Sequence, residues 1–215
     1  MNLVILFTLA AYLLGSIPTS VWIGQYFYGI DVRKYGSGNA GATNTFRVLG
    51  VRAGIPVMLF DVLKGFLAVK LVRFIPFLLE GSNPYISVQI ALGMAAVLGH
   101  VFPIYVGFKG GKGVATLLGV VLSVHPSGAL IAACIFVAVL LVTRYVSLSS
   151  MIAGISFPVV IVTYYKVTSI PLIIFSMSIA VLLLFTHQQN IERLIRHEES
   201  KANLFRKKKA KKSGL

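Results

Sequence analysis

Apolar residues in this chain come in long unbroken runs, with no alternation and no one-sided stripe. The runs cover 3–23, 53–74, 86–101, 114–124, 128–142, 149–165 and 169–185. A helix that is apolar on every side has no face for water and belongs in a core or in lipid. Most of the runs are near, or a little under, the ~20 residues that cross a hydrocarbon layer. They predict an all-α integral membrane protein with about seven transmembrane helices. Between the fourth and fifth runs lies His125-Pro126-Ser127-Gly128, and proline with glycine favours a turn over one long helix. The fourth helix is then shorter than an ordinary core, which implies local thinning or a crossing that starts deep. There is no fixed-period repeat and no soluble second domain.

The polar segments between the runs set the orientation. With the N-terminus outside, the inner segments hold Arg33, Lys34, Arg47, Arg52, Lys109, Lys112, Arg144 and a basic tail. The outer segments hold only Arg73 and Lys166, near helix ends. Positive loops stay inside, so the N-terminus is expected outside and the C-terminus in the cytoplasm. Lys112 and Arg144 both lie inside only if the chain crosses twice between them, which the turn at Pro126 allows. Residues 1–194 form the membrane domain on this reading, and 195–215 a basic cytoplasmic tail expected to be disordered.

Composition narrows the classes further. The chain has 57% hydrophobic and 12% charged residues, with a mean hydropathy of +0.86. Soluble domains carry roughly 25% charged residues. A net charge of +14 invites a nucleic-acid reading. However, the densest cluster, Arg206 to Lys209 with Lys211 and Lys212, directly follows the last apolar run. Such a flank faces anionic headgroups, so membrane lipids and no nucleic acid are the expected partners. Cys134 is the single cysteine, which excludes a disulfide within the chain. The first residues lack the basic side chains of a signal peptide, so the first run reads as a retained helix.

Three inner segments carry candidate chemistry. The first is Tyr35-Gly36-Ser37-Gly38-Asn39-Ala40-Gly41-Ala42-Thr43-Asn44-Thr45-Phe46-Arg47. Its glycines permit backbone shapes in which successive N–H groups form an anion nest. Its side chains add hydrogen bonds, and Arg47 adds a planar fork that fits phosphate. The same residues also make plain linkers, and Arg47 favours a site. The second is Gly99-His100-Val101-Phe102-Pro103 followed by Gly107-Phe108-Lys109-Gly110-Gly111-Lys112-Gly113-Val114-Ala115-Thr116. Glycines and lysines before a helix place free N–H groups and a positive dipole end at an anion. Gly113 stands where a nucleotide-binding loop needs Ser or Thr, so nucleotide hydrolysis is not supported. The third is Thr186-His187-Gln188-Gln189-Asn190-Ile191-Glu192-Arg193-Leu194. Asn190 and Glu192 there suit substrate hydroxyls, and an interfacial helix end is the alternative. Within the second run, Asp61 and Lys64 share a helix face and read as an ion pair.

Together with Gly15-Ser16-Ile17-Pro18 and Arg144-Tyr145-Val146-Ser147-Leu148, these segments resemble the bacterial acyl-phosphate:glycerol-3-phosphate acyltransferases, the PlsY family. The likeness runs to about Leu194 and leaves out the lysine-rich tail. It implies a seven-helix enzyme of the bacterial cytoplasmic (inner) membrane with its active site facing the cytoplasm. The implied reaction moves an acyl group from acyl phosphate to the sn-1 hydroxyl of glycerol 3-phosphate, giving lysophosphatidic acid and phosphate. That is the first acylation step of phospholipid synthesis. The resemblance implies no cofactor and no metal. It makes Ser37, Arg47, His100, Lys109 and Asn190 catalytic. It makes Gly38, Asn39, Gly41, Thr43, Asn44, Gly110, Gly111, Lys112, Gly113 and Glu192 substrate-binding. A monomer is expected.

Two phosphate-bearing substrates require converging cations and N–H donors, which these segments supply. Acyl phosphate is already activated, so direct attack by the hydroxyl needs no covalent enzyme intermediate. Either a substrate phosphate oxygen or His100 takes the proton. The rivals are a transporter of a phosphorylated metabolite and a non-catalytic anionic-lipid-binding protein. Polar segments gathered on one face favour the enzyme over a transporter, whose site lies at mid-membrane.

Overall fold

A computed structural model describes residues 2–202. The expected basic cluster at 206–212, and the expected disorder of the tail beyond residue 202, lie outside the described residues. The helices are α1 (Asn2–Gly15), α2 (Thr19–Tyr28), α3 (Ala42–Leu49), α4 (Val51–Lys70), α5 (Asn83–Val101), α6 (Val114–Val124), α7 (Pro126–Thr143), α8 (Val146–Val159), α9 (Ile170–Thr186) and α10 (Gln188–Ile195). No strand occurs among the described residues. Leu3–Tyr28, Asn83–Val106, Pro126–Thr143 and Val146–Tyr164 are each long and apolar enough to cross a bilayer. Helices α9 and α10, bent by 62°, make a fifth crossing if taken together. The other two expected spans are α4, which carries Asp61 and Lys64, and α6, with only 11 residues.

Three boundaries differ from the sequence reading, each for a local reason. The first run is broken at Ser16–Pro18 and continues to Tyr28. Pro18 has no N–H to extend α1, and α2 restarts when Val21 and Trp22 donate to the Pro18 carbonyl. The second half of the first glycine-rich segment is helical. Gly41 caps α3, and Gly50, at φ +85°, ends it before α4 begins. Residues 195–202 are tied back to the bundle, since the Ala202 N–H donates to the Arg144 carbonyl at 2.7 Å. The expected division at 195 therefore cuts through packed chain. The turn between the fourth and fifth runs is present. His125 caps α7, with its Nδ1 accepting from the Gly128 N–H at 3.1 Å.

Packing pairs α1 with α5, α4 with α6, α7 with α8, and α8 with α9. In lipid, helices associate through close backbone approach at small residues. A Cβ on Gly65 would stand 2.1 Å from the Thr116 carbonyl oxygen, and one on Gly119 would stand 1.9 Å from that of Val62. These two glycines clamp α6 to α4. On the other side of the bundle, Gly15 packs against Ala96, and Gly99 against the Tyr12 carbonyl. Val69, Val97, Leu117, Val120, Phe157, Phe175 and Ile179 fill the core between them. The α4–α6 clamp fixes the N-terminus of α6, and with it the glycine-lysine loop.

Candidate active site

The first loop is held by one buried amide. Asn44, on the first turn of α3, accepts the Ser37 N–H on Oδ1 at 2.9 Å and donates from Nδ2 to the carbonyls of Val32 (2.9 Å) and Tyr35 (3.1 Å). Its amide is fully engaged, so Asn44 shapes the loop and does not face a ligand. Gly36, at φ +63°, must be glycine here, because a Cβ would lie 2.3 Å from Asn44 Oδ1. Ser37, Gly38, Thr43 and Arg47 are exposed, while Asn39 and Gly41 are half-buried. Arg47 ends α3 with no ion-pair partner among the described residues.

The second loop folds back over the end of α5. Gly110 and Gly111 donate their N–H groups to the carbonyls of Val101 and His100, both at 3.1 Å. A Cβ on Gly111 would meet His100 Nε2 at 2.3 Å and the Ala40 carbonyl oxygen at 3.1 Å. His100 and the two loops therefore meet at Gly111. Arg33 fastens them from the side. It pairs with Asp31 at 2.8 Å and donates to the Val106 carbonyl at 2.9 Å. The Arg33 hydrogen bond holds the Asp31 carboxyl below its ordinary range, outweighing burial. A cleft of about 540 Å³ opens here, lined by Asp31, Arg33, Gly38, Val106, Gly107, Lys109 and Gly110. Lys109 is exposed at its edge.

The third segment joins through Lys112, whose ammonium donates to Asn190 Oδ1. Asn190 Nδ2 in turn donates to Glu199 Oε1 at 2.6 Å. Ser147 Oγ reaches the same oxygen at 2.7 Å, and Arg193 Nε reaches Oε2 at 2.9 Å. Burial, the largest cause, lowers the Lys112 ammonium from 10.5 to about 8. Arg193 and Arg47 push in the same direction, and Glu199 opposes them. Lys112 thus joins the second and third segments, Gly111 joins the second to the first at Ala40, and Arg47 stands exposed at the end of α3.

Glu192 is not part of that junction. It is exposed on the far side of α10, paired with Arg196 at 2.6 Å. The acid that bonds Asn190 is Glu199, which the sequence reading placed in the tail; Ser147, Arg193 and Arg33 were named there without a site role. Burial pushes the Glu199 carboxyl up, but the hydrogen bonds from Ser147, Asn190 and Arg193 win and hold it below its ordinary range. Its contribution to stability is complete above the ordinary value of 4.5 and fades as pH falls through the lowered folded value. Glu199→Ala is expected to destabilise the protein by on the order of 2 kcal/mol at neutral pH, because buried donors lose a charged acceptor. Thermal unfolding in detergent at pH 7 and pH 4 checks this, with the difference between variant and wild type shrinking at the lower pH.

A buried ion pair lies beneath this junction. Asp61 Oδ1 is 2.8 Å from Lys64 Nζ, accepts from Thr19 Oγ1 at 3.2 Å, and stands 3.6 Å from His100 Nδ1. Lys64 also donates to the Ile17 carbonyl at 2.9 Å. Among the described residues, no group of three or more His, Cys, Asp or Glu side chains has the arrangement of a metal site.

Comparison with known proteins shows the family. The family model described as glycerol-3-phosphate acyltransferase matches residues 5–197. A glycerol-3-phosphate acyltransferase of Enterococcus faecalis is 44% identical, over 99% of this chain and 98% of the relative. One from Chlorobium phaeobacteroides is 39% identical, over 91% and 95%. A crystal structure of PlsY, an integral membrane glycerol 3-phosphate acyltransferase, in its glycerol 3-phosphate form superposes with a TM-score of 0.82. It is 38% identical, and the match covers 93% of this chain and 95% of that one. Its lysophosphatidic acid form gives a TM-score of 0.80. With its helices, its loops and nearly its whole length matched, this chain is a multi-pass membrane protein and belongs to the glycerol-3-phosphate acyltransferase family.

Proposed function

We propose that the protein transfers an acyl group from acyl phosphate to the sn-1 hydroxyl of glycerol 3-phosphate, releasing lysophosphatidic acid and inorganic phosphate. The observation that carries this reading is the meeting of three distant segments: Lys112 bonds Asn190, and Gly111 packs against both His100 and the Ala40 carbonyl of the first loop. One such cation is common at a membrane surface. Cations on segments that also hold the helix N-termini at Gly41 and Gly113 suit phosphate-bearing substrates. On this reading the protein works as a monomer with seven crossings, its N-terminus outside and its site on the cytoplasmic face of the inner membrane. The positive-inside distribution supports that orientation.

In the reaction, the glycerol oxygen bonds to the acyl carbon while the carbon–oxygen bond to phosphate breaks. The leaving phosphate takes the electron pair, and Arg47 and Lys112 stabilise its charge. A substrate phosphate oxygen or His100 Nε2, at the meeting point of the loops, accepts the hydroxyl proton, which passes to the departing phosphate. Ser37, Asn39, Thr43 and Lys109 line the approach, Asn190 orients Lys112, and Gly38, Gly41, Gly110, Gly111 and Gly113 shape the backbone. Glu192 lies outside this arrangement.

The test uses purified protein in detergent with palmitoyl phosphate and glycerol 3-phosphate, and measures phosphate release and lysophosphatidic acid. Turnover that needs both substrates supports the reading. Uptake of glycerol 3-phosphate into vesicles without turnover defeats it in favour of a transporter.

A pH profile follows from Lys112. Its cation is present below about 8 and is lost above it, so kcat/KM for glycerol 3-phosphate should fall as pH rises through that value. Glycerol 3-phosphate is already a dianion over this range. Lys112→Arg, whose charge persists, should move the fall to higher pH. Folding stability should shift the opposite way between pH 8 and 10.5, because there the unfolded chain binds more protons at this position. A profile identical in wild type and Lys112→Arg counts against Lys112 as a phosphate ligand.

A further inference from the structure

The first membrane span is broken at Ser16–Pro18, between α1 and α2. Helix α1 rises about 21 Å over its 14 residues, so the break falls inside a ~30 Å hydrocarbon layer. In hydrocarbon no water serves the carbonyls that end one helix or the N–H groups that begin the next. Pro18 stands at the cap position of α2 and offers no side-chain acceptor. Two side chains from α4 meet the broken ends instead. Lys64 Nζ donates to the Ile17 carbonyl at 2.9 Å, just past the end of α1. Asp61 Oδ1 accepts at 3.2 Å from the hydroxyl of Thr19, the first residue of α2. The two side chains are 2.8 Å apart and buried. Each charge therefore faces the helix end of opposite partial charge, the ammonium at the end of α1 and the carboxylate at the start of α2. Helix α2 carries that geometry toward the first loop. It packs against α3 and the short turn Val32–Lys34. A Cβ on Gly24 would stand 2.8 Å from the Ile30 carbonyl oxygen and 3.0 Å from Val32 Cγ1. Val32 is fully buried, and its carbonyl accepts from Asn44, the amide that shapes the loop.

We propose that Asp61 and Lys64 are positioning residues: they staple the two halves of the broken span at a fixed angle and, through α2, set the place of the first glycine-rich loop. A plain ion pair is indifferent to which side chain stands at which position. A staple is not. Exchanging the two puts a carboxylate against the Ile17 carbonyl and an ammonium at the start of α2, so that each faces a like partial charge. The inference rests on the first loop belonging to the active site, as in the proposed reaction.

The protein carries its own reporter of this angle. Trp22 is the single tryptophan, lies on α2, and packs on Tyr105 of the second loop with ring centroids 6.0 Å apart. Its emission in detergent therefore reads how α2 is seated. The paired variant Asp61→Leu with Lys64→Met removes both charges in similar volume, a change that folding commonly tolerates. In it the Trp22 emission maximum should move from the wild-type wavelength, and kcat/KM for glycerol 3-phosphate should fall by about 100-fold, the effect of a small misplacement far from the chemistry. The thermal midpoint should hold, which separates positioning from a merely structural role. The exchanged variant Asp61→Lys with Lys64→Asp should not recover activity. Thr19→Val removes only the α2 end of the staple and should shift the emission with a smaller loss of kcat/KM; it decides if the double variants do not fold. A wild-type emission maximum in the folded paired variant, or in Thr19→Val where that variant decides, overturns the inference. So does an exchanged variant with wild-type kcat/KM, and so does a shifted emission with kcat/KM unchanged, which breaks the link to the first loop. Absence of turnover in the wild type defeats the proposed reaction instead, and Trp22 emission still reads the staple.

Discussion

Arg47→Ala is expected to lower kcat by about 100- to 1000-fold, the usual cost of losing one well-aimed donor to transition-state charge, with little change in the thermal unfolding midpoint. The two halves of that expectation come from the same geometry. Arg47 sits in the last turn of α3, exposed and without an ion-pair partner among the described residues. Removing it takes away no packing and leaves no buried group unsatisfied, so stability has little reason to change. On the proposed reaction its guanidinium, with Lys112, meets the phosphate charge that develops as the acyl group departs. Arg47→Lys should recover only part of the activity, because an ammonium lacks the planar fork. Phosphate release by purified variants, compared at saturating and limiting glycerol 3-phosphate, makes the measurement. Near-normal turnover in Arg47→Ala removes Arg47 from the mechanism.

Gly119→Ala is expected to have the largest effect on folding. The added carbon would stand 1.9 Å from the Val62 carbonyl oxygen and 2.9 Å from the Phe66 nitrogen. These are backbone atoms of α4, and no side chain can rotate away to relieve the overlap. The helices must separate, at an overpacking cost of about 1–3 kcal/mol and toward the upper end here. The loss should reach activity too, because α6 carries Lys112 and Gly113 at its N-terminus. Ala138→Val, the addition of carbon on the exposed face of α7, is the matched control and should be neutral. An unchanged midpoint for Gly119→Ala in detergent would falsify the account of the α4–α6 clamp.

The spans were legible because lipid leaves backbone few options, and a run of apolar residues then admits little but a helix. The break at Ser16–Pro18 and the restart to Tyr28 were less so. The segment after Ile23 carries Gln25 and three tyrosine or phenylalanine residues, which read as an interface although the helix continues. Helix α3 was hidden by its composition. Ala-Thr-Asn-Thr-Phe-Arg follows several glycines and looks like more loop, and what makes it helical is tertiary, the packing of Phe46 over Gly54.

Within the site, the Asp61–Lys64 pair was readable from a spacing of three on one helix. His100 joins it from a different helix, which no local spacing announces. Glu192 was named and Glu199 was not, although the sequence contained a reason to look further. Residues two apart on a helix point in nearly opposite directions, so if Asn190 faces inward, Glu192 faces out. Asn190 and Arg193, three apart, share the inward face and meet Glu199. The chain has only six acidic residues, and Asp31, Asp61 and Glu199 each fasten a cation or an amide around the site. In so basic a chain, each rare acid was worth asking about.

The 11 residues of α6 rise only about 17 Å, a little over half of a ~30 Å hydrocarbon slab. On the proposed topology, with the Pro126 turn at the outer surface, the glycine end of that stub lies sunken, below the level where neighbouring lipids keep their polar caps. The proposed oily donor, drifting sideways in the leaflet, would bring its reactive carbon to that depth without being hoisted into water. The small hydrophilic acceptor would make the longer descent, and the finished amphiphile would need only to slide away between its neighbours.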